Sequence, residues 1–355
     1  MAQPRFIRHH QLKGFGPESQ SKLGQARVLI VGLGGLGLPV AQYLNAMGVG
    51  TLGLVEQDLI EYHNLQRQLL YDERDVGRPK LEVAIERLAN QNRCTNLISF
   101  DTFLTKTNAL RIVGDFDLVV DATDNFATRY LINDACVILK KPFVYGALHG
   151  FEGHVSVFNH DGGPTYRCLF PEMPKAEEVP DCNENGVLGV VPGIIGTLQA
   201  LEVVKIVAGI GNVLSGKLLL YDGLTQTTQQ IDIPVNPQNK KIKELLASYG
   251  ASDCETAFSM EPEKFAEMVK RQKVQLIDVR NPNEYREFHL QLAKNIPLAE
   301  LSSRLDEIDF DRPVYIICQS GTRSAKALAR LRQERPNAAI LHILGGMDKT
   351  VPLCL

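Results

Sequence analysis

Two short stretches hold residue types that can do chemistry. IVGLGGLG sets Gly32, Gly34 and Gly37 in a G-x-G-x-x-G frame with Gly35 added, and CQSGTRS, near the other end of the chain, places Cys318 ahead of Gly321 and Arg323. Glycines so spaced, between a strand and a helix, let backbone amides and a helix amino end approach a phosphate. A cysteine delivered by the apolar run VYII into a curl around Gly321 meets inward-pointing amides, with Arg323 nearby. Such a nest lowers a thiol pKa and binds an anion. The first stretch therefore asks for a nucleotide, the second for a phosphate or a sulfane sulfur.

Glu56 ends the next apolar run at ribose distance, and the loop with this residue alone suggests a nicotinamide dehydrogenase. The segment HNLQRQLLYDERDVGRPK changes that reading by adding Arg67 and Lys80. A diphosphate held by glycine amides and a helix dipole has little need of two further cations. A triphosphate does. Lys80 falls in a helix's first turn, where the macrodipole disfavours a cation by some tenths of a kcal/mol, so an anionic partner would rationalise it. Read alone, Lys80 is a solvated surface lysine. Asp124, just past the run DLVVDATDN, sits where an open α/β sheet presents ligand groups and could hold Mg2+ bridging phosphates; its plainer role is a helix cap. Together these features favour ATP.

The cysteine loop has a size as well as a composition. Four residues separate Cys318 from Arg323. That ring is smaller than the five-residue loop of cysteine phosphatases, and a small ring suits a persulfide.

The elements that must position these residues alternate strand and helix. RVLIVG, TLGLVEQD and DLVVDATDN read as buried parallel strands with polar carboxyl ends. LGLPVAQYLNAMG places Leu36, Val40, Leu44 and Met47 on one helical face,. DVGRPKLEVAIERLANQN starts a helix near Pro79, PGIIGTLQALEVVKIVAG reads as a buried or interfacial helix, and KLLLYDGLTQTTQQIDI as a hairpin-like strand pair. From Pro234 to about Ser259 the chain turns polar and irregular. Beyond it QLIDVR, NIPL, VYIIC and AILHIL begin a second, smaller alternation. The fold class is α/β throughout: a Rossmann-like, mostly parallel domain over residues 1–235, a linker over 236–256, and a smaller α/β domain over 257–355. Some twenty-five flexible residues would span about 25 to 30 Å root-mean-square.

Composition excludes several classes. At 355 residues with a net charge of −3, the chain gives no case for nucleic acid binding,. It has no run of 18 apolar residues and no secretory leader pattern, so a cytoplasmic protein without a membrane partner is expected. Seven scattered cysteines, with no C-x-x-C pair, fit reduced thiols better than a disulfide framework or a zinc ribbon,.

RFIRHH, GLGGLG, NLQRQ, GRPK, ATDNFATRYLINDAC, EGHVSVF, TYRCLFPE, CNENGVLGVVPGIIGTLQALE and LLLYDGL occur in an order that resembles the MoeB/ThiF group of ubiquitin-activating-like adenylating enzymes. The likeness covers roughly residues 5 to 233. It implies ATP and Mg2+ as cofactors, a homodimer, and adenylation of the Gly-Gly carboxylate that ends a small ubiquitin-like sulfur carrier. It also implies nucleotide or metal contacts for Gly34, Gly35, Glu56, Asn64, Arg67, Lys80, Asp124 and Asn125. Arg8 matches an arginine that reaches the partner subunit's ATP, and Cys182 matches a cysteine on the loop that crosses the adenylate. Much of the group holds structural zinc with two C-x-x-C pairs. Here Cys168 stands with Thr165, the later segment reads IPVNPQNKKIKEL, and no zinc is expected,.

The later region, about 257 to 347, resembles a rhodanese domain through LIDVRNPNEYREFHLQLAKNIPL and LGGM, without the usual Trp after the glycine pair. The two likenesses together imply that one domain makes an acyl electrophile and the other a sulfur nucleophile, with Cys318 as persulfide, Arg323 beside it and a cysteine desulfurase as sulfur donor. Rival readings are a ubiquitin-like activator that hands its partner on from a Cys182 thioester, and an adenylating enzyme for a non-protein substrate.

Overall fold

The computed structural model describes residues 4–174, 186–246, 249, 258–319, 321–335 and 338–354. They fall into two compact units, Met1–Tyr249 and Gly250–Leu355.

The first unit is built on one sheet ordered β3-β2-β1-β4-β5-β6-β7-β8. Its strands are β1 (Arg27–Val31), β2 (Thr51–Val55), β3 (Asn96–Phe100), β4 (Leu118–Asp121), β5 (Phe143–His149), β6 (Glu152–Phe158), β7 (Lys217–Asp222) and β8 (Thr227–Asp232). The strands from β3 to β5 in that order are parallel, and the run from β5 to β8 is antiparallel. The hairpin read from KLLLYDGLTQTTQQIDI is the β7–β8 pair. Helices are α1 (Ile7–Gln11), α2 (Gly16–Gln25), α3 (Gly37–Ala46), α4 (Lys80–Gln91), α5 (Ala109–Gly114), α6 (Phe126–Leu139), α7 (Tyr166–Leu169) and α8 (Val190–Ala208).

Strand periodicity of two divides the core between the faces of this sheet. Val28 and Ile30 of β1 join Leu44 of α3 and Val203 of α8 on one side, while Leu29 and Val31 join Phe116 and Ile132 on the other. Leu36, Val40 and Leu44 are buried together, as their spacing requires. By length and composition α8 could cross a membrane, yet half of it is buried in this unit. Its buried Gln199 donates to the Asp121 carbonyl at 2.7 Å, and its buried Glu202 accepts from the Leu214 amide at 2.9 Å. It is a core helix.

The expected linker needs correction at its start. Residues after β8 continue in a 3-10 turn, Pro237–Lys240, and buried Tyr249 donates its hydroxyl to Asp134 of α6 at 2.8 Å. The first unit thus extends to Tyr249, because this polar stretch finds partners on the domain surface.

The second unit has a parallel five-stranded sheet ordered β11-β10-β12-β13-β9. Its elements are β9 (Ser259–Met260), α9 (Pro262–Arg271), β10 (Gln275–Asp278), α10 (Pro282–Glu287), β11 (Ala293–Asn295), β12 (Val314–Ile317), α11 (Thr322–Glu334), β13 (Ile340–Ile343) and α12 (Gly346–Cys354). The strand expected at NIPL lies a few residues earlier, as β11, and β9 is a short addition at the opposite edge.

Candidate active sites

Strand order in the first unit reverses at β1, which pairs with β2 on one side and β4 on the other. Ligands of open α/β sheets bind beyond the carboxyl ends at such a switch point. The glycine loop leaves β1 here and opens α3. A Cβ on Gly37 would stand 1.8 Å from the Gly32 carbonyl, so only glycine lets the loop close on itself. A Cβ on Gly35 would stand 3.4 Å from Arg67 Cγ, so Arg67 lies along the loop, while Gly34 borders Gln68. Arg67 is half-buried and donates to the His63 carbonyl at 3.0 Å. Asn64 is buried beneath it and accepts from the Glu61 amide at 3.1 Å.

Glu56 follows β2 and braces the loop. Its carboxylate accepts from the amides of Leu33 at 2.9 Å, Gln57 at 2.7 Å and Asp58 at 2.8 Å. Lys80 is the first residue of α4 and is only 6% exposed, contrary to a solvated lysine. Its Nζ lies 3.3 Å from Asp58 Oδ2. A buried ammonium at a helix amino end, where the dipole opposes it, is costly unless an anion compensates.

Asp124 is exposed just beyond β4. The cap of α6 is Asn125, whose Oδ1 accepts from the Thr128 amide at 2.9 Å. Beneath them Asp121 is fully buried; Thr123 donates to Oδ1 from its amide at 3.1 Å and its hydroxyl at 2.7 Å. Oδ2 has no partner among the described residues, and burial raises this carboxyl above the ordinary aspartate range. Arg129, also buried, donates to the Thr123 carbonyl at 2.9 Å, and its guanidinium lies over the Tyr145 ring. This buried group of Asp121, Thr123 and Arg129 was not singled out from sequence; the signal was a polar strand end followed by an arginine one turn into a helix. Arg8 is exposed on α1, and Cys182 lies outside the described residues.

In the second unit β12 delivers Cys318, buried with 0% exposure. Its sulfur accepts from the Ser324 amide at 3.3 Å and lies 3.7 Å from the Ser324 hydroxyl. That hydroxyl donates to the Gly321 carbonyl at 2.8 Å and stands 3.4 Å from Nδ1 of His342 on β13. His342 Nε2 has no partner among the described residues, and burial holds this imidazole below its usual range. The floor of the loop is the glycine pair: a Cβ on Gly346 would stand 2.2 Å from the Cys318 carbonyl, which accepts from the Met347 amide at 2.8 Å.

Two arginines shape this loop. Arg323 donates to both carboxylate oxygens of Glu284 on α10, at 2.6 and 2.7 Å. Burial alone would raise Glu284, but the Arg323 hydrogen bonds outweigh it and hold the carboxyl below its usual range. Arg280, 3% exposed, pairs with Asp278 at 2.8 Å and donates to Gln319 Oε1 at 2.9 Å and to the Phe288 carbonyl at 2.7 Å. Arg323 is singled out by the sequence reading, whereas Arg280 and Glu284, which lie 38 and 34 residues before Cys318 in the chain, are not.

Comparison with known proteins settles the kinship of both units. Residues 6–243 match the ThiF family, and 261–351 match the rhodanese-like domain. The chain belongs to the ThiF family. It carries a rhodanese-like domain behind the ThiF region. It is 49% identical over 239 residues to the sulfur carrier protein adenylyltransferase of Thermus thermophilus, a match covering 66% of this chain and 88% of that protein. With the adenylyltransferase and sulfurtransferase MOCS3 of Drosophila ananassae it shares 37% identity over 371 residues, covering 97% of this chain and 82% of the relative. The chain is accordingly an enzyme, an adenylyltransferase joined to a sulfurtransferase. Among solved structures, E. coli MccB with ATP is similar in fold, with a TM-score of 0.59 and 23% identity over 66% of this chain and 72% of that one.

Proposed function

We propose that this ThiF-family enzyme adenylates the C-terminal Gly-Gly carboxylate of a small ubiquitin-like sulfur carrier and then replaces AMP with sulfur from a Cys318 persulfide. The observation that carries the reading is the buried Lys80, joined to the glycine loop through Tyr71, whose hydroxyl bonds both the Leu33 and the Lys80 carbonyls, in a chain that also holds the buried Cys318 sulfur on the Ser324 amide. A carboxylate and an α-phosphate repel each other, and Lys80 and Arg67 offset that repulsion. The carboxylate oxygen bonds to the α-phosphorus as the bond to pyrophosphate breaks, which leaves an acyl adenylate. Asp124, an exposed oxygen donor at the switch point, suits a hard cation and would hold the Mg2+ that neutralises phosphate charge,.

A cysteine desulfurase or another sulfane donor loads Cys318. The terminal sulfur attacks the acyl carbon, AMP departs, and an acyl disulfide remains. A further thiol, Cys182 or an external one, attacks the Cys318 sulfur, so that the thiocarboxylate leaves and a new disulfide forms; an external dithiol, or two thiols in succession, then reduces that disulfide and departs oxidised. The enzyme works as a homodimer, with Arg8 reaching the partner subunit's ATP, in the cytoplasm.

Intact-mass analysis of a Gly-Gly-ended carrier incubated with enzyme, ATP, Mg2+ and a sulfur donor tests this. A gain of about 16 Da, oxygen replaced by sulfur, is expected. Cys318→Ala should abolish the gain and leave ATP–pyrophosphate exchange unchanged. Normal sulfur transfer by that variant would sink the two-domain mechanism.

A further inference from the structure

Residues 165, 168, 236 and 239 form two pairs with two residues between the members of each, the spacing that the family resemblance associates with zinc. In this chain they are Thr165, Cys168, Asn236 and Asn239. Although three of the four are not cysteine, the fold still brings them together. Cys168 Sγ accepts from the Thr165 amide at 3.4 Å and the Asn236 amide at 3.3 Å, lies 3.6 Å from Asn239 Nδ2, and contacts the Thr165 hydroxyl at 3.5 Å. The donors come from two segments far apart in the chain: the start of α7 and the 3-10 turn after β8.

This set does not fit zinc. A structural zinc takes four thiolate, imidazole or carboxylate donors at about 2.0 to 2.3 Å. Here there is one thiol. The Asn236 carboxamide is turned away, its Oδ1 accepting from the Gln238 amide at 3.0 Å, so position 236 reaches the sulfur through its backbone. Among the described residues no group of three or more Cys, His, Asp or Glu is arranged to hold a metal.

We infer that a metal-free clasp centred on the Cys168 sulfur replaces zinc and ties the segment after β8 to α7. A sulfur can accept several weak hydrogen bonds at once, so it can gather backbone and side-chain donors from both segments where a metal would gather thiolates. Neighbouring contacts act in the same sense. Lys240 donates to the Gly162 carbonyl, and Tyr249 donates to Asp134, which also accepts twice from Arg167 at 2.8 Å. Among the described residues, the clasp thus acts together with the Lys240 and Tyr249 contacts and the packing of Leu245 and Tyr249 to keep this segment on the first unit.

Elemental analysis of the full chain purified from zinc-supplemented medium, with thermal unfolding in and out of EDTA, tests the inference. Zinc well below one atom per chain and a midpoint unmoved by EDTA are expected. One zinc per chain, lost with EDTA together with a fall in midpoint, would overturn it. Cys168→Ala should lower the midpoint of the first unit by a few degrees, and an unchanged midpoint would show that the sulfur ties nothing. The triple substitution Thr165→Cys, Asn236→Cys, Asn239→Cys should take up one Zn2+, or one Co2+ with thiolate-to-metal absorption, and become sensitive to EDTA. A folded triple variant that binds neither metal would refute the convergence of the four positions, and if that variant fails to fold, the native metal content and Cys168→Ala decide.

Discussion

The two sites spend positive charge differently. In the first unit Lys80 is buried with one 3.3 Å contact to a carboxylate, and Arg67 donates to a backbone carbonyl along the glycine loop. In the second, Arg280 and Arg323 each grip a carboxylate with more than one hydrogen bond. Charge near the glycine loop is thus available to a ligand, while charge near Cys318 is consumed in building the loop. The contrast follows from what each must stabilise. A triphosphate brings several negative charges that backbone amides alone cannot balance, whereas the single Cys318 sulfur is met by the Ser324 amide,.

Breaking the Arg280–Asp278 pair should have the largest effect. Arg280→Leu leaves the fully buried Asp278 carboxylate uncompensated, which costs about 3–5 kcal/mol,. Calorimetry should show the second unit unfolding early while ATP–pyrophosphate exchange continues. Lys80→Met should do the opposite. Exchange falls by about 10² to 10³-fold, as when one charge-stabilising donor is removed, yet thermal stability holds or rises because a buried cation is gone. A marked loss of stability instead would make Lys80 a structural residue and erase the contrast.

The Arg323–Glu284 pair sharpens it further. If Arg323 acts by holding the loop, Glu284→Gln and Arg323→Lys should each slow sulfur transfer severalfold, and the double variant should be no slower than the worse single one. Additive losses would mean that Arg323 also acts on the sulfur by itself. The smallest effect is on pH. His342 and Glu284 both have folded pKa values below their ordinary ones, so the unfolded chain binds more protons. Stability of the second unit should be full above about pH 6.5, fall as His342 protonates, and fall again below about pH 4.3 as Glu284 does. His342→Phe should flatten the upper part of that curve.

Much of this was readable in the chain. Apolar runs ending in polar residues located β1, β2 and β4, and the glycine and cysteine loops stand where strand ends place them. Lys80 was harder, because a lysine in an amphipathic helix looks solvated until the tertiary fold closes over it. Asp124 and Asn125 are adjacent, and residue type alone does not say which caps the helix; only backbone geometry assigns Asn125. Glu284 and Arg280 escaped because they act across more than thirty residues, and spacing along the chain does not state which strand ends converge. Asn236 and Asn239 escaped for a chemical reason: carboxamides do not advertise themselves as partners of sulfur.

The glycine pair under Cys318 has a consequence for how this protein can change over time. The loop rests on bare backbone at Gly345 and Gly346, with the Met347 amide bonded to the Cys318 carbonyl, so main chain lies directly on main chain there. A single methyl group added at residue 346 would reach the sulfur's own peptide, so inheritance has no smaller step away from glycine at this position that the loop could absorb unmoved.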